Sequence, residues 1–294
     1  MKKRKLEVVV LSDVHLGTYG CHAEELLIYL SSIQPKTLIL NGDIIDIWQF
    51  RKQYFPKAHL KVLKKLLSMA SEGVEIYYIT GNHDEALRRF SGHSLGSLSI
   101  QDKIVLPLDG KNTWIFHGDV FDPSIRHTKW LAKMGGKGYD LLIFLNRLIN
   151  WCLQTIGRPK YSLSKRIKNG VKGAVSYIND FEKTVGDVAI QQGYDTVICG
   201  HIHQPKKRLL ENDRGKCLYL NSGDWVEHLT ALEYSFKRWK LYHFNLDKLT
   251  AFYADEELKD LDMNQLINSI IEPAKKDPNT EMPPLTSRDK ERLL

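Results

Sequence analysis

The chain has 294 residues, 43% of them hydrophobic and 26% charged, with a formal net charge of +7. That balance excludes a disordered chain, a collagen-like repeat and a polytopic membrane protein, and the length suffices for a core without staples. The positive excess suits anionic partners, and four scattered cysteines (Cys21, Cys152, Cys199, Cys217) without a CxxC pair point to a reducing, cytoplasmic compartment.

The first residues, Met1-Lys2-Lys3-Arg4-Lys5, have the charge of a signal-peptide start. The apolar stretch after them is short and runs into Ser12-Asp13, which predicts a first strand over 6–11 instead. Helical spacing follows over 23–33, then a short apolar run over 37–40 that stops at Asn41-Gly42-Asp43. Residues 57–71 predict an amphipathic helix with Leu60, Leu63, Leu67 and Ala70 on its apolar face. A strand over 75–80 ends at Gly81-Asn82-His83-Asp84, and a strand pair over 103–106 and 113–116 ends at His117-Gly118-Asp119. Strands joined by helices imply an α/β fold with a sheet buried on both faces.

Residues 124–192 carry no strand pattern and read as a helical insertion within a domain spanning 1–253. Strands resume over 196–199, 217–220, 229–234 and 239–244. Residues 254–294, rich in charge and proline, predict a peripheral helix and then a disordered tail. No run of about 18 apolar residues is present to span a bilayer.

Five apolar runs end in the same kind of residue: Asp13-x-His15, Gly42-Asp43, Gly81-Asn82-His83-Asp84, His117-Gly118-Asp119 and Gly200-His201-Ile202-His203. Each taken alone is ordinary turn chemistry. Their repetition after five strands is not, because ligands of open α/β sheets collect beyond the carboxyl ends of strands. Asp, His and Asn offer oxygen and imidazole donors without thiolate, which suits Mn, Fe or Zn in a hydrolytic site better than structural zinc. Asp13/His15 and His201/His203 each place two side chains on one side of an extended segment, and Asp43 is a natural bridge between two metals.

These motifs resemble the calcineurin-like metallophosphoesterase superfamily. The resemblance implies a β-sandwich flanked by helices, a four-layer αββα arrangement with a helical lid insertion, and two divalent metal ions, Mn first, with Fe, Zn or Co also acceptable. It implies that Asp13, His15, Asp43 and His203 hold one metal, and that Asp43, Asn82, His117 and His201 hold the other. It further implies that His83 protonates the leaving oxygen or stabilises the transition state, and that Asp84 orients His83.

Within the superfamily the chain is most similar to the UDP-2,3-diacylglucosamine diphosphatases of lipid A biosynthesis. The similarity is carried by Ser12-Asp13-Val14-His15-Leu16-Gly17, the stretch Gly42-Asp43-Ile44-Ile45-Asp46-Ile47-Trp48, Gly200-His201-Ile202-His203-Gln204-Pro205 and Asn221-Ser222-Gly223-Asp224-Trp225. It implies hydrolysis of the nucleotide lipid to UMP and 2,3-diacylglucosamine 1-phosphate. One departure stands out: that family's best-studied branch has Arg where this chain has His83, which opens a different lipid or a broader substrate range.

The insertion contains an apolar face (Leu141, Leu142, Leu145, Leu148, Ile149, Cys152, Ile156) and then a basic segment from Arg158 to Lys172. A helix packed on the core and a lid that meets acyl chains or the cytoplasmic face of the inner membrane both fit it. Asn82 and His83 are expected at the substrate. Position suggests Lys168 and Lys172 for substrate charge and Asp122 for a substrate hydroxyl. Two alternatives stay open. One is a phosphodiesterase or phosphatase for another nucleotide or lipid phosphate. The other is a non-catalytic scaffold, which would lack activity even when loaded with metal. No helix-turn-helix or RNA-binding signature suggests a nucleic-acid partner.

Overall fold

The computed structural model describes residues 3–47, 54–121 and 164–247, without the side chains of 164–176. The elements in chain order are β1 (Arg4–Leu11), α1 (Ala23–Ser32), β2 (Ile33–Asn41), α2 (Lys57–Ser71), β3 (Glu75–Ile79), β4 (Ser94–Leu95), β5 (Leu98–Gln101), β6 (Lys103–Leu108) and β7 (Lys111–Phe116). After them come α3 (Ser164–Gln191), β8 (Thr196–Cys199), β9 (Lys206–Asn212), β10 (Gly215–Asn221), β11 (Thr230–Ser235) and β12 (Arg238–His243). A seven-stranded sheet runs in the order β12-β11-β1-β2-β3-β5-β4, and a five-stranded sheet in the order β6-β7-β8-β10-β9. The pairs β1/β2, β2/β3, β7/β8 and β8/β10 are parallel, so the carboxyl ends of the central strands within each sheet point one way.

Alternating side chains explain the layers. Val8, Val10 and Ile39 enter a core between the sheets with Ile79, Ile115, Ile198, Leu220 and Leu232. Their neighbours Val9, Leu11, Leu38 and Leu40 pack on α1 and α2 instead. On the other side Phe181, Val185 and Ala189 of α3 pack against Trp114, Val197 and Tyr219 of the smaller sheet. Helices therefore cover both outer faces, and the four-layer αββα expectation holds. Trp114, Trp225 and Trp239 are buried packing residues.

Three features differ from the sequence reading. The buried face of α2 is Val62, Leu66, Met69 and Ala70, while Leu60 is 47% exposed; the helix turns its leucine stripe partly outward. Strands β4, β5 and β9 were not anticipated, because edge strands need no continuous apolar run. The carboxyl-terminal half of α3, placed in the insertion, lies in the core of the smaller sheet. The leucine face at 141–156 and the tail at 254–294 lie outside the described residues.

Candidate metal centre

Each predicted ligand sits in a turn just past a strand. Asp13 and His15 follow β1, Asp43 follows β2, Asn82 and His83 follow β3, His117 follows β7, and His201 and His203 follow β8. Backbone bonds weld these turns together. Asp13 N–H donates to Gly42 O at 3.1 Å, His15 N–H to Asp43 O at 2.9 Å, and Gly200 N–H to His117 O at 2.9 Å.

Five of these residues, Asp13, His15, Asp43, His201 and His203, have φ between 51° and 66°, the left-handed region that non-glycine residues rarely occupy. Such strain gathers where surrounding structure over-determines a functional geometry. The glycines beside them serve another purpose. Gly81 and Gly200 have ordinary φ, but a Cβ on Gly81 would run into the Asp43 carboxylate, and one on Gly200 would lie 2.5 Å from Asp13 Oδ2. Both make room for a carboxylate.

The side chains converge in three overlapping groups: Asp13/His15/His203, His15/Asp43/His83 and Asp43/His117/His201, with donor atoms in each within 4.8 Å of one another. His203 Nε2 lies 3.3 Å from Asp13 Oδ1, and His117 Nε2 lies 3.2 Å from Asp43 Oδ2. The His15 ring stacks on His203 and meets His83 edge-on. His15 and Asp43 each belong to two of the groups, and Asp43 is the carboxylate among them, as a bridging ligand must be.

Backbone contacts aim these donors. His117 Nδ1 donates to Asn41 O at 2.9 Å, which leaves Nε2 facing the cluster. Asp43 Oδ1 accepts the His83 N–H at 2.8 Å, and Asp13 accepts the His201 N–H. His15 Nε2, His117 Nε2 and Asn82 Oδ1 are buried without a hydrogen-bond partner. Buried polar atoms without a hydrogen-bond partner are costly, and three of them on predicted ligand residues fit divalent cations. The oxygen and imidazole donor set fits them equally well.

The electrostatics agree. Burial opposes ionisation of Asp43, but His117, with His83 and His15, outweighs it and holds the carboxyl below the usual range. Burial opposes charge on His117, but Asp43 and Asp13 push it up to about 10. Burial likewise opposes charge on His203, and Asp13 and Asp224 push it up to about 9. Each cationic imidazole occupies a place that a metal cation would take, and would shed its proton on ligation.

Two carboxylates have roles that the sequence reading did not give. Asp84 does not orient His83. Its Oδ2 accepts the Ile44 N–H at 3.0 Å and the Tyr78 hydroxyl at 2.6 Å, and its Oδ1 accepts the Gly81 N–H at 2.6 Å. Asp84 therefore braces the β2 and β3 turns. The partner of His83 is Asp46, whose Oδ2 is 3.0 Å from His83 Nδ1 and 3.8 Å from His15 Nδ1. Burial opposes ionisation of Asp46, yet bonding to His15 and His83 keeps its carboxyl below the usual range. Burial also opposes charge on His83, and Asp46 and Asp43 raise it. Asp46 stands three residues past Asp43 in a run already quoted, a spacing that could have flagged it. Asp122 lies outside the described residues; Lys168 and Lys172 fall on α3, with side chains also outside them.

A two-sheet sandwich with Asp, His and Asn donors at converging strand ends defines a metal-dependent hydrolase. The sequence profile of the calcineurin-like phosphoesterases matches residues 6–205, and the chain belongs to that family. It is a metal-dependent phosphoester hydrolase by that membership. A UDP-2,3-diacylglucosamine hydrolase of Aliivibrio fischeri is 25% identical over 81% of this chain and 98% of its own length. The hydrolase of the same name from Blochmanniella pennsylvanica is 26% identical over 68% of this chain and 80% of its own, and that of Stenotrophomonas maltophilia 23% over 80% and 98%. Among solved structures, an archaeal phosphodiesterase covers 80% of this chain and 98% of its own at 16% identity and a TM-score of 0.38.

Proposed function

We propose that this protein hydrolyses UDP-2,3-diacylglucosamine to UMP and 2,3-diacylglucosamine 1-phosphate. The observation that carries the reading is the alignment with hydrolases of that name over up to 98% of their length. Asp13, His15, Asp43 and His203 hold one divalent cation, and Asp43, Asn82, His117 and His201 the other, with Mn2+ the favoured metal. Bound there, divalent cations would supply charge neutralisation at the phosphoryl group and a lowered pKa for the attacking water.

The chain's own residues do the rest. Asp46 engages His83 Nδ1 and so orients the ring, and His83 gives a proton or a hydrogen bond to the leaving oxygen. The water oxygen bonds to the α-phosphorus as the bridging P–O bond breaks, and the sugar 1-phosphate departs. Asp84 keeps the β2 and β3 turns in register while this happens. Asp122, Lys168 and Lys172 are assigned to the substrate, and the segment before α3 to a lid over the acyl chains. The setting proposed is the cytoplasm, with peripheral contact to the membrane that carries the lipid. Among the described residues no helix is long and apolar enough to cross a membrane.

Incubation of the Mn2+-loaded protein with UDP-2,3-diacylglucosamine, beside bis(p-nitrophenyl) phosphate, tests the reading. UMP and the lipid phosphate are the expected products. Turnover of the diester alone would leave the phosphoesterase chemistry standing and remove the lipid assignment.

A further inference from the structure

The motif His117-Gly118-Asp119 leaves one residue without a task, since Asp119 belongs to none of the three donor groups. Its side chain is only 11% exposed, and its Oδ2 accepts from Arg88 Nη2 at 3.1 Å. Arg88 stands in a short 3-10 helix, Glu85–Phe90, that begins directly after the Gly81-Asn82-His83-Asp84 turn. Asp119 opens a second such helix, Asp119–Phe121, just past the His117 turn. The ion pair therefore joins the two sheets, from the turn after β3 to the turn after β7.

The guanidinium holds a second point as well. Its Nε donates to Thr80 Oγ1 at 3.3 Å and lies 3.4 Å from Asp102 Oδ1. Thr80 gives its hydroxyl proton to that same Asp102 oxygen at 2.9 Å, and its N–H to Gln101 O at 3.1 Å. Thr80 is the residue before Gly81, and Asp102 lies between β5 and β6, where the chain crosses from one sheet to the other. One planar group thus fixes the root of the Asn82 turn with Nε and the His117 turn with Nη2. A lysine ammonium is a point charge and has no such fork.

Asn82 and His117 are assigned to the same cation and hang from different sheets. His117 is aimed by Asn41 O, and Asp43 is held by the His83 N–H. Asn82 Oδ1 is buried without a hydrogen-bond partner, so its place depends on its turn. We propose that Arg88 is a positioning residue for this cation: by gripping Asp119 and Thr80 together, it sets the Asn82 turn against the His117 turn. The proposal rests on the ligand assignment above. The other site has its own tie between the sheets, the 3.3 Å contact of Asp13 with His203. Among the described residues Arg88 pairs with none of that site's members. Loss of Arg88 should therefore weaken one site and spare the other.

The test titrates metal-free wild type, Arg88→Ala, Arg88→Lys and Asp119→Asn with Mn2+. Bound ions are counted by equilibrium dialysis, and the electron paramagnetic resonance spectrum is followed. Wild type is expected to bind two Mn2+ and to show the exchange-coupled signal of a pair. Arg88→Ala and Asp119→Asn should hold one Mn2+ as wild type does and the other about tenfold more weakly, as loss of a group that orients a ligand does. The weakened ion should be the one that Asn82→Ala also weakens. Spectra of both variants at intermediate Mn2+ should be those of a single ion. Arg88→Lys should fall between wild type and Arg88→Ala. Combining Arg88→Ala with Asp119→Asn should add nothing, because the two groups act as one unit. Activity on bis(p-nitrophenyl) phosphate should need about tenfold more Mn2+, with kcat recovering as Mn2+ is raised. The thermal midpoint of the chelated protein should fall by at most about 4 °C, the scale of a partly exposed ion pair. Equal weakening of both ions, or a kcat that stays low at saturating Mn2+, would overturn the proposal. So would variants that bind two Mn2+ as tightly as wild type does. Wild type that takes up a single Mn2+ at saturation would instead remove the two-cation assignment, and the proposal with it.

Discussion

Asp46 and Asp84 show how little sequence adjacency says about side-chain partnership. Asp84 is next to His83 in the chain, but it accepts three hydrogen bonds elsewhere, from Ile44 past β2, from Tyr78 in β3 and from Gly81 in the turn after it. Asp46, from a different strand end, reaches the His83 ring across the fold. The two carboxylates should therefore fail in different ways. His83→Ala is expected to lower kcat roughly 10²–10⁴-fold, the range of a general acid, with metal content preserved. Asp46→Asn should lower kcat about 10–100-fold, as loss of an orienting partner does, again with metal retained. Asp84→Ala should instead cost about 3 kcal/mol of stability by leaving buried N–H donors unpaired, read as a lower denaturation midpoint. Metal loss in His83→Ala would show that His83 is a ligand and sink the division of roles. Asp43→Ala is the contrasting case, since removal of the shared carboxylate should take metal and activity together.

At the scale of elements, the site depends on turns that are tight because strands feed them from two sheets. Gly81 occupies such a turn, and an added Cβ would press on the Asp43 carboxylate and come within 2.9 Å of His117 Cδ2. Its φ is ordinary, so alanine meets no torsional penalty there, although the Cβ would also lie 2.6 Å from the Asp43 backbone nitrogen. Gly81→Ala is thus expected to fold, with a loss of about 1–3 kcal/mol from overpacking, and to bind markedly less metal. Elemental analysis against the thermal midpoint separates the two effects; full metal content would mean that the carboxylate can move aside. The strands that carry ligands were legible in the sequence because each is buried on both faces and ends abruptly in Asp, Asn or His. β9 was not, because its Lys206–Asn212 run is a half-exposed edge with little apolar signal. The apolar face of α2 was legible in part: Ala70 is buried and Leu63 and Leu67 pack against the core, but Leu60 faces outward and Val62, Leu66 and Met69 complete the buried face. The contact between Asp224 and His203 was invisible because it depends on where β10 lies, a long-range fact that no local pattern carries.

For the whole molecule, the ligand set is also a clasp. Asp13, His15, Asp43 and Asn82 hang from the seven-stranded sheet, while His117, His201 and His203 hang from the five-stranded one. Cations held between them, as proposed, would tie the two layers together at one end of a core that is otherwise held by aliphatic packing. They would also help offset the cost of five left-handed residues, about 1 kcal/mol or more apiece, and would displace the protons that the nearby carboxylates favour on His117 and His203. A ligand that binds only the folded state stabilises it by about 2.7 kcal/mol at a hundred times its dissociation constant. Exhaustive chelation should therefore lower the thermal midpoint by about 5–10 °C for a protein of this size, while far-UV circular dichroism at room temperature stays unchanged. Addition of Mn2+ should restore both the midpoint and the phosphodiesterase activity, and the two should titrate together. A midpoint indifferent to chelation, in protein shown to have lost its metal, would mean that the aliphatic core alone aligns the two sheets. The turns would then be preformed, and the metals would contribute chemistry without contributing to the fold.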